Sequence, residues 1–303
     1  MNARIIPVAR SSGANRLLDP RAVLDELLSR QRALAIFGLL LWASLLPTAI
    51  AWAVDDRVLR DVNVWAKPAK FMLALGAFSL TMAWFVGWIE PARRRARPVR
   101  WAVVTLIAAS SFELAYIVLQ AARGEASHYN ASTVFHQVMY GLMGLGAWLL
   151  TGSGLPIARE LHRHGLPSVP VVLRRAAVHG LVLTFALGAG VGMLLGSMQP
   201  PSGPGVASVP LFGWALLGDL RIAHFLGIHA QQLIPLAGLA ILAWRRGDDE
   251  AGVSRTRGEV PQPAASARQM RALQWTSAAY AVLVVATAAA ALATRAASSN
   301  TPG

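Results

Sequence analysis

Long apolar segments constrain the fold of this chain more than any other feature of its sequence. A helix needs about 20 apolar residues to cross the hydrocarbon core of a bilayer. Hydrophobic residues make up 55% of the chain and charged residues only 14%, whereas soluble domains carry about 25% charged residues. We therefore predict an all-α fold, a seven-transmembrane-helix bundle. The predicted spans cover residues 33–53, 68–89, 99–122, 131–152, 171–197, 219–243 and 275–294.

The basic residues between these spans predict the orientation of the bundle. Loops on the cytoplasmic side of a membrane are enriched in lysine and arginine. The N-terminal arm and the second, fourth and sixth loops are rich in arginine, as in the run PARRRARPVR, whereas the other loops hold few basic residues. This alternation predicts a cytoplasmic N-terminus and a C-terminus outside.

Composition divides the chain into four parts. Asp19 suits a helix N-cap and Pro20 suits the first helical position, so the N-terminal arm is predicted to contain a short amphipathic helix on the membrane surface. The segment after the sixth span is polar and contains Pro, Gly and Ser, which is typical of a flexible linker. The predicted parts are a cytoplasmic arm (1–32), a six-helix membrane bundle (33–243), a flexible cytoplasmic linker (244–274) and the seventh span with an outer tail (275–303).

The charge and cysteine content exclude several classes of function. The formal net charge of +13 suggests a nucleic-acid partner, but the basic residues lie in loops where membrane topology accounts for them. The sequence contains no nucleic-acid-binding motif, so we expect no such partner. The chain contains no cysteine, which excludes disulfides, thiolate metal sites and cysteine nucleophiles.

The two lysines of the chain lie three residues apart in WAKPAKF, residues 65–71. This segment opens the second span on the predicted outer side. Pro68 suits the first turn of a helix, so Lys67 and Lys70 are predicted to share one helix face. The alternative for either lysine alone is snorkelling, in which a side chain at a span end reaches the lipid headgroups.

The third span places polar residues in the outer half of the membrane. Ser110, Glu113, Gln120 and Arg123 lie near one helix face, with Tyr116 beside them. Glu113 lies about ten residues from the outer end, which is about 15 Å deep at 1.5 Å per residue. We expect it to face the interior of the bundle, either paired or protonated, because an exposed carboxylate is costly at that depth.

The fourth span opens with ASHYNASTVFHQ. Ser127 and Asn130 are predicted helix caps. His128, Ser132 and His136 recur every four residues and are predicted to share a face of the same helix.

The sixth span opens with GDLRIAHFLGIHAQQLIP. Arg221, His224 and Gln231 are predicted to share one helix face, while His229 points elsewhere near the middle of the membrane. Asp219 is predicted to cap this helix or to pair with Arg221.

Together these residues predict an outward-facing polar cavity for a small anionic ligand. Basic side chains of this set would hold a carboxylate or phosphate. The uses that fit are transport, sensing or lipid-headgroup binding. The predicted ligand-binding residues are Lys67, Lys70, Glu113, Gln120, Arg123, His128, Asn130, His136, Asp219, Arg221, His224 and His229.

Two other functions fit the same sequence. A membrane oxidoreductase or hydrolase would use haem held by His136 and His224, with His179 and His229 as a second pair, or a divalent metal held by His136, His224, His229 and Glu113. On a continuous helix the side chains of His224 and His229 would point about 140° apart, which argues against both binding one metal ion. The third function is that of a structural membrane subunit.

Three segments resemble a family of uncharacterised bacterial multi-span membrane proteins. They are WAKPAKF, QAARGEASHYNAST and GDLRIAHFLGIHAQQLIP, and the resemblance covers most of spans two to six. The resemblance implies a multi-span helical fold and a location in the bacterial cytoplasmic (inner) membrane. It implies no activity and assigns no catalytic residues.

Overall fold

The computed structural model describes residues 19–202, 206–210, 212–250 and 267–299. The helices are α1 (Pro20–Arg30), α2 (Arg32–Ala43), α3 (Leu45–Val54), α4 (Ala66–Val86), α5 (Arg97–Arg123), α6 (Val134–Gly152), α7 (Gly154–His164), α8 (Val171–Leu183), α9 (Gly190–Ser197), α10 (Leu220–Ile228), α11 (Ala230–Glu250) and α12 (Ala267–Ser299), with a π-helical turn (Thr184–Ala189) between α8 and α9. The strands are β1 (Val58–Leu59), β2 (Val62–Asn63), β3 (Ser208–Val209) and β4 (Trp214–Ala215).

The predicted multi-pass helical architecture is confirmed. Six helical segments of the described chain are long and apolar enough to cross a membrane, and the bent pair α10–α11 makes a seventh if it counts as one span. Large apolar side chains cover the outside of the bundle, for example Leu46, which is 69% exposed, and Trp101, which is 68% exposed. A surface of this kind suits lipid rather than water.

The connections between helices gather at two ends of the bundle. The hairpin end carries the antiparallel pairs β1–β2 and β3–β4 and the loop between α5 and α6. There Arg57 donates to the carbonyl oxygen of Ala122 at 3.1 Å. A Cβ on Gly213 would lie 2.5 Å from Cγ1 of Val62, so the two hairpins touch one another. The sequence analysis did not predict these strands.

The opposite end, which we call the arginine-rich end, carries the α4–α5 and α7–α8 loops. Arg93 from the first loop forms an ion pair of 2.8 Å with Glu160 of α7, whose side chain is 1% exposed. Arg94 donates to the carbonyl oxygens of Gly87 and Ile89. The predicted helix α1 lies at this end as well, where Arg30 stacks over the ring of Trp84 at 4.0 Å.

Apolar clusters fill the interior of the bundle, and the three that join the most helices are as follows. The largest joins α2, α4, α5 and α7 through buried side chains such as Leu34, Met82 and Ile157. The second joins α9, α10 and α12, and the third joins α8, α11 and α12. Helix α12 therefore packs against the later helices along its length. Its last turns reach the hairpin end, where Arg295 donates to the carbonyl oxygen of Gly218 at 2.6 Å.

The start of the fourth span differs from the prediction. Helix α6 begins at Val134 rather than at residue 131, and its N-cap is Thr133, whose hydroxyl accepts from the backbone N–H of His136. Ser127 and Asn130 are therefore not caps of this helix. His128 and Ser132 belong to the preceding loop and do not share a helix face with His136, because the chain becomes helical only after Thr133 supplies the cap.

The fifth and sixth spans are both interrupted, which the sequence analysis did not predict. The fifth contains the π-helical turn between α8 and α9. The sixth breaks at His229, where α10 and α11 meet at 57°. A single helical wheel over the sixth span therefore places Gln231 wrongly relative to Arg221 and His224, since the wheel assumes a continuous helix.

The ends of the predicted parts also shift. Asp19 caps α1, as predicted, by accepting from the backbone N–H of Arg21 at 3.0 Å. Helix α11 continues to Glu250 and α12 begins at Ala267, so both ends of the predicted linker are helical. The remainder of that linker (251–266) and most of the N-terminal arm (1–18) lie outside the described residues.

Candidate functional site

Lys67 lies at the start of α4, under the loop that joins α5 to α6. Its ammonium nitrogen donates to the hydroxyl of Ser127 at 2.7 Å and to Nδ1 of His128 at 2.9 Å. It also lies 5.9 Å from the centre of the Phe71 ring. The structure thus joins two predicted site residues, Lys67 and His128, through a direct contact that spacing alone did not predict.

While Lys67 carries its charge, the contact requires a neutral His128, because Nδ1 must accept a hydrogen bond from the ammonium group. Burial and the nearby positive charge of Lys67 lower the pKa of His128 well below its usual range. The ring also packs edge-on against Tyr140, with centroids 5.8 Å apart. His128 is thus an uncharged partner of Lys67 at neutral pH.

Lys70 lies one turn further along α4 and faces the β3–β4 hairpin. Its ammonium nitrogen donates to the carbonyl oxygen of Phe212 at 2.7 Å. The rings of Phe212 and Trp214 lie 5.7 and 5.9 Å from the nitrogen. This hairpin thus covers Lys70 with a backbone oxygen and two aromatic rings.

Asp219 and Arg221 form the pair that the sequence predicted. Asp219 is 2% exposed and caps α10 by accepting from the backbone N–H of Arg221 at 2.9 Å. The guanidinium of Arg221 contacts the same carboxylate at 2.6 Å and the carbonyl oxygen of Gly213 at 2.9 Å. The second oxygen of the carboxylate accepts from the N–H of Ala215. Arg221 and Asp219 therefore fasten the hairpin to α10.

A separate group of polar residues lies at the end of α5. Arg123 and Gln120 both donate to Glu125, a residue that the sequence analysis did not select. Nε2 of His136 lies 3.2 Å from the same carboxylate. Hydrogen bonds from Arg123 hold the pKa of Glu125 below its usual range. His136 thus belongs to the same polar group as Gln120, Arg123 and Glu125.

Asn130 organises the loop before α6. Its Oδ1 accepts from the backbone N–H and the hydroxyl of Ser132, and its Nδ2 donates to the carbonyl oxygen of Ala126. These contacts occupy the side chain of Asn130 within the loop. Its predicted part in ligand binding is not favoured by this geometry.

Glu113 faces the interior of the bundle, as predicted. It is 3% exposed, and its Oε1 makes no hydrogen bond within the described part of the chain. A Cβ on Gly146 would lie 3.0 Å from this oxygen, so the carboxyl group abuts the backbone of α6. Lys67 is the nearby charge that acts on it.

His224 and His229 belong to different surroundings. His224 contacts the carbonyl oxygen of Gly188 through Nδ1 at 3.0 Å. His229 lies at the helix break, where Nδ1 is 3.3 Å from Oε1 of Gln232 while Nε2 has no partner among the described residues. Gln232 in turn donates to Thr81 of α4 at 3.3 Å. The buried side chain of Gln231 also makes no hydrogen bond within the described part of the chain.

The structure does not group the proposed metal ligands. Among the described residues no three His, Asp or Glu side chains are placed to hold a metal ion, which disfavours the four-residue metal set. Nε2 of His136 contacts Glu125. His224 and His179 contact a backbone carbonyl and the hydroxyl of Ser277 through Nδ1, which leaves Nε2 of each ring outside these contacts. The two haem pairs therefore stay predictions.

Positive charge exceeds negative charge around Lys67. Lys70, Arg60 and Arg221 all lie close enough to act on its ammonium group, and among the described carboxylates Glu113 is the one that does so. The sequence analysis did not select Arg60, which stacks over the ring of Tyr129 at 5.4 Å. Arg60 belongs to the β1–β2 turn, and its φ of 53° marks that turn.

Comparisons with protein-family models, with curated proteins and with solved structures show no match to this chain. The resemblance of its three polar segments to bacterial multi-span proteins therefore stays a prediction.

Proposed function

We propose that this chain is a multi-pass protein of the bacterial inner membrane that binds a small anionic ligand at the hairpin end. The positive-inside rule puts that end outside the cytoplasm. The ligand carries a carboxylate or a phosphate, and Lys67 and Lys70 provide its positive charges. Transport is the use that the helix breaks favour, since broken helices often line the binding sites of transporters.

The partners of the two lysines carry this proposal. Neither ammonium group forms an ion pair with a carboxylate of the described chain; Lys67 donates to a hydroxyl and an imidazole, and Lys70 donates to a backbone carbonyl. A charge held away from water is normally paired. Two nearby arginines are different, because Arg221 and Arg123 already contact Asp219 and Glu125. The lysines are therefore the groups with unused charge.

The neutral partners are suited to exchange. An anionic acceptor would bind the two ammonium groups more strongly than their present neutral acceptors do, because both partners then carry a charge. Lys67 and Lys70 lie one helical turn apart on α4, so one ligand with one or two acidic groups spans both. The β3–β4 hairpin would have to release Lys70 from Phe212 when the ligand binds.

The test is the thermal stability of the purified protein with inorganic phosphate, acetate or succinate. A ligand present at 100 times its Kd stabilises a protein by about 2.7 kcal/mol, which raises Tm by roughly 4 °C for a chain of this size. We expect this rise for the natural chain and its loss in the double variant Lys67→Gln/Lys70→Gln. Arg123→Gln is the matched control, because it removes an exposed charge that is already paired.

The same assay separates a free anion from a lipid headgroup. Protein in nanodiscs of phosphatidylcholine, with or without phosphatidylglycerol, would respond to the anionic lipid alone if the headgroup is the ligand. The proposal fails if no anion or anionic lipid stabilises the natural chain, or if the double variant keeps the full response.

A further inference from the structure

Helix α5 carries a stripe of buried polar side chains that the anion site does not use. Its members are Ser110, Glu113, Tyr116 and Gln120, and each of them is at most 5% exposed. Their spacing of three, three and four residues keeps them on one face of the helix. A polar row of this length inside a membrane bundle is costly unless it has a function.

Three of these side chains lack partners. Oγ of Ser110, Oε1 of Glu113 and the hydroxyl of Tyr116 make no hydrogen bond within the described part of the chain. Leaving such a group unsatisfied costs about 1–3 kcal/mol, so buried polar atoms nearly always have a partner. Water is the partner that fits a narrow polar row, because each molecule bridges two or more polar atoms.

The stripe leads to the surface at the hairpin end. Gln120 donates to Oε2 of Glu125 at 3.3 Å, and the same oxygen lies 3.2 Å from Nε2 of His136. The side chain of Glu125 is 34% exposed. The row thus runs from the solution, through Gln120 and Tyr116, to Glu113.

The inner end of the stripe is enclosed. From α6, the neighbouring groups are the backbone of Gly146 and the apolar Met143, which packs with Tyr116. From α4, the charged group that acts on Glu113 is Lys67. Tyr116 is the titratable neighbour on α5 itself. Protonation of Glu113 therefore removes a buried charge, and its ionisation is balanced by Lys67 alone among the described residues.

We propose that Glu113 is a protonation site in the middle of the bundle and that this stripe is the hydrated path through which it exchanges its proton with the solution at the hairpin end. A proton from a hydronium ion binds a carboxylate oxygen of Glu113 and leaves water behind; release reverses the same step. No bond other than O–H forms or breaks. The inference stands apart from the anion site, because it needs neither lysine to bind a ligand.

Infrared spectroscopy of the protein in nanodiscs tests the site and the path together. A protonated carboxylic acid has a carbonyl stretch that a carboxylate lacks, and this band shifts when the proton is replaced by deuterium. We expect a band that Glu113→Gln abolishes and Glu160→Gln retains, since Glu160 is equally buried but paired with Arg93. In Gln120→Leu the exchange of the Glu113 proton for deuterium, which shifts the band, should be about tenfold slower, because a hydrogen-bonded step of the path is lost.

Two further variants keep the test decisive. Tyr116→Phe removes only a hydroxyl and should also slow the exchange, so it replaces Gln120→Leu if that variant does not fold. Leu119→Ala changes a neighbouring side chain that is 53% exposed and should leave the rate unchanged. If Glu113→Gln removes no band at any pH at which the protein stays folded, the protonation site is wrong. If the exchange is as fast in both path variants as in the natural chain, the path is wrong.

Discussion

The contact between Lys67 and His128 shows how one residue sets the charge state of another. Both side chains carry a positive charge in water under mildly acidic conditions, yet their nitrogens lie 2.9 Å apart. The arrangement is stable only while the imidazole accepts and the ammonium donates. Ser127 supports it by accepting a second hydrogen bond from the same ammonium group at 2.7 Å.

This contact predicts a loss of stability in acid. The pKa of His128 is lowered in the folded protein by burial and by the charge of Lys67, whereas an unfolded histidine titrates at about 6.5. The unfolded chain therefore binds a proton first, and the stability that neutral His128 contributes is present above about pH 6.5 and is lost as the pH falls below it. We expect Tm to fall between pH 7.5 and about 5.5, and this fall to be smaller in His128→Asn, as scanning calorimetry would measure.

His162→Asn is the control for this prediction. His162 makes a similar contact with Arg175 but is exposed at the end of α7, where solvent screens the charges, so its replacement should change the fall of Tm less than His128→Asn does. Equal slopes in His128→Asn and in the natural chain would show that His128 is not the group responsible.

At the scale of elements, the two interrupted helices depend on each other. The π-helical turn and the break at His229 lie side by side, and side chains satisfy the backbone groups that the interruptions release. Thr184 accepts from the N–H of Gln231 at 2.9 Å, and Tyr280 donates to the carbonyl oxygen of Leu226. His224 contacts the carbonyl oxygen of Gly188 within the turn. Breaks are tolerated inside a membrane only when such groups are re-paired.

Close backbone contact between these elements predicts the effect of adding one methyl group. A Cβ on Gly227 of α10 would lie 2.9 Å from the backbone nitrogen of Gly188, which cannot move aside as a flexible side chain would. We expect Gly227→Ala to lower the free energy of unfolding by about 1–3 kcal/mol. Thermal unfolding of the purified protein measures it.

Gly190→Ala is the matched control in the adjoining helix. A Cβ on Gly190 would meet no described atom within 4 Å. Alanine is preferred to glycine in a helix by up to about 1 kcal/mol, so this variant should be neutral or more stable. Equal losses of stability in both variants would contradict the close packing of α10 against the π-helical turn.

At the scale of the whole molecule, the arginine run of the α4–α5 loop and the two hairpins lie at opposite ends of the bundle. The arginine-rich end holds the run of residues 93–95, with Arg93 paired to Glu160. The other end holds both hairpins, which touch through Val62 and Gly213, and the two lysines beneath them. Within the described part of the chain, the covered lysine site thus lies at the hairpin end.

The predicted orientation in the membrane rests on the same asymmetry and is testable with single cysteines, since the chain has none of its own. Ser208→Cys lies on an exposed strand of the hairpin end, and Arg95→Cys lies in an exposed loop of the arginine-rich end. We expect a membrane-impermeant thiol reagent to label Ser208→Cys in intact spheroplasts and Arg95→Cys only after permeabilisation. The reverse pattern would place the lysine site on the cytoplasmic side.

The sequence by itself determined the elements whose causes are local. Apolar runs predicted the multi-pass helical architecture and the approximate positions of its long helices, because a span must be apolar over about 20 residues whatever surrounds it. Asp19 and Asp219 cap helices through hydrogen bonds within two residues, so spacing was enough to find them. The inward direction of Glu113 followed from the cost of exposing a carboxylate to lipid.

Only the tertiary structure decided which polar side chains meet. His128 reaches Lys67 because its loop folds over α4, and His136 turns to Glu125 because α6 starts after Thr133. The break at His229 depends on side chains from other helices that re-pair its backbone. These contacts join residues far apart in the chain, and helical periodicity fixes only the direction of a side chain from its own axis. Its partner depends on how the helices pack.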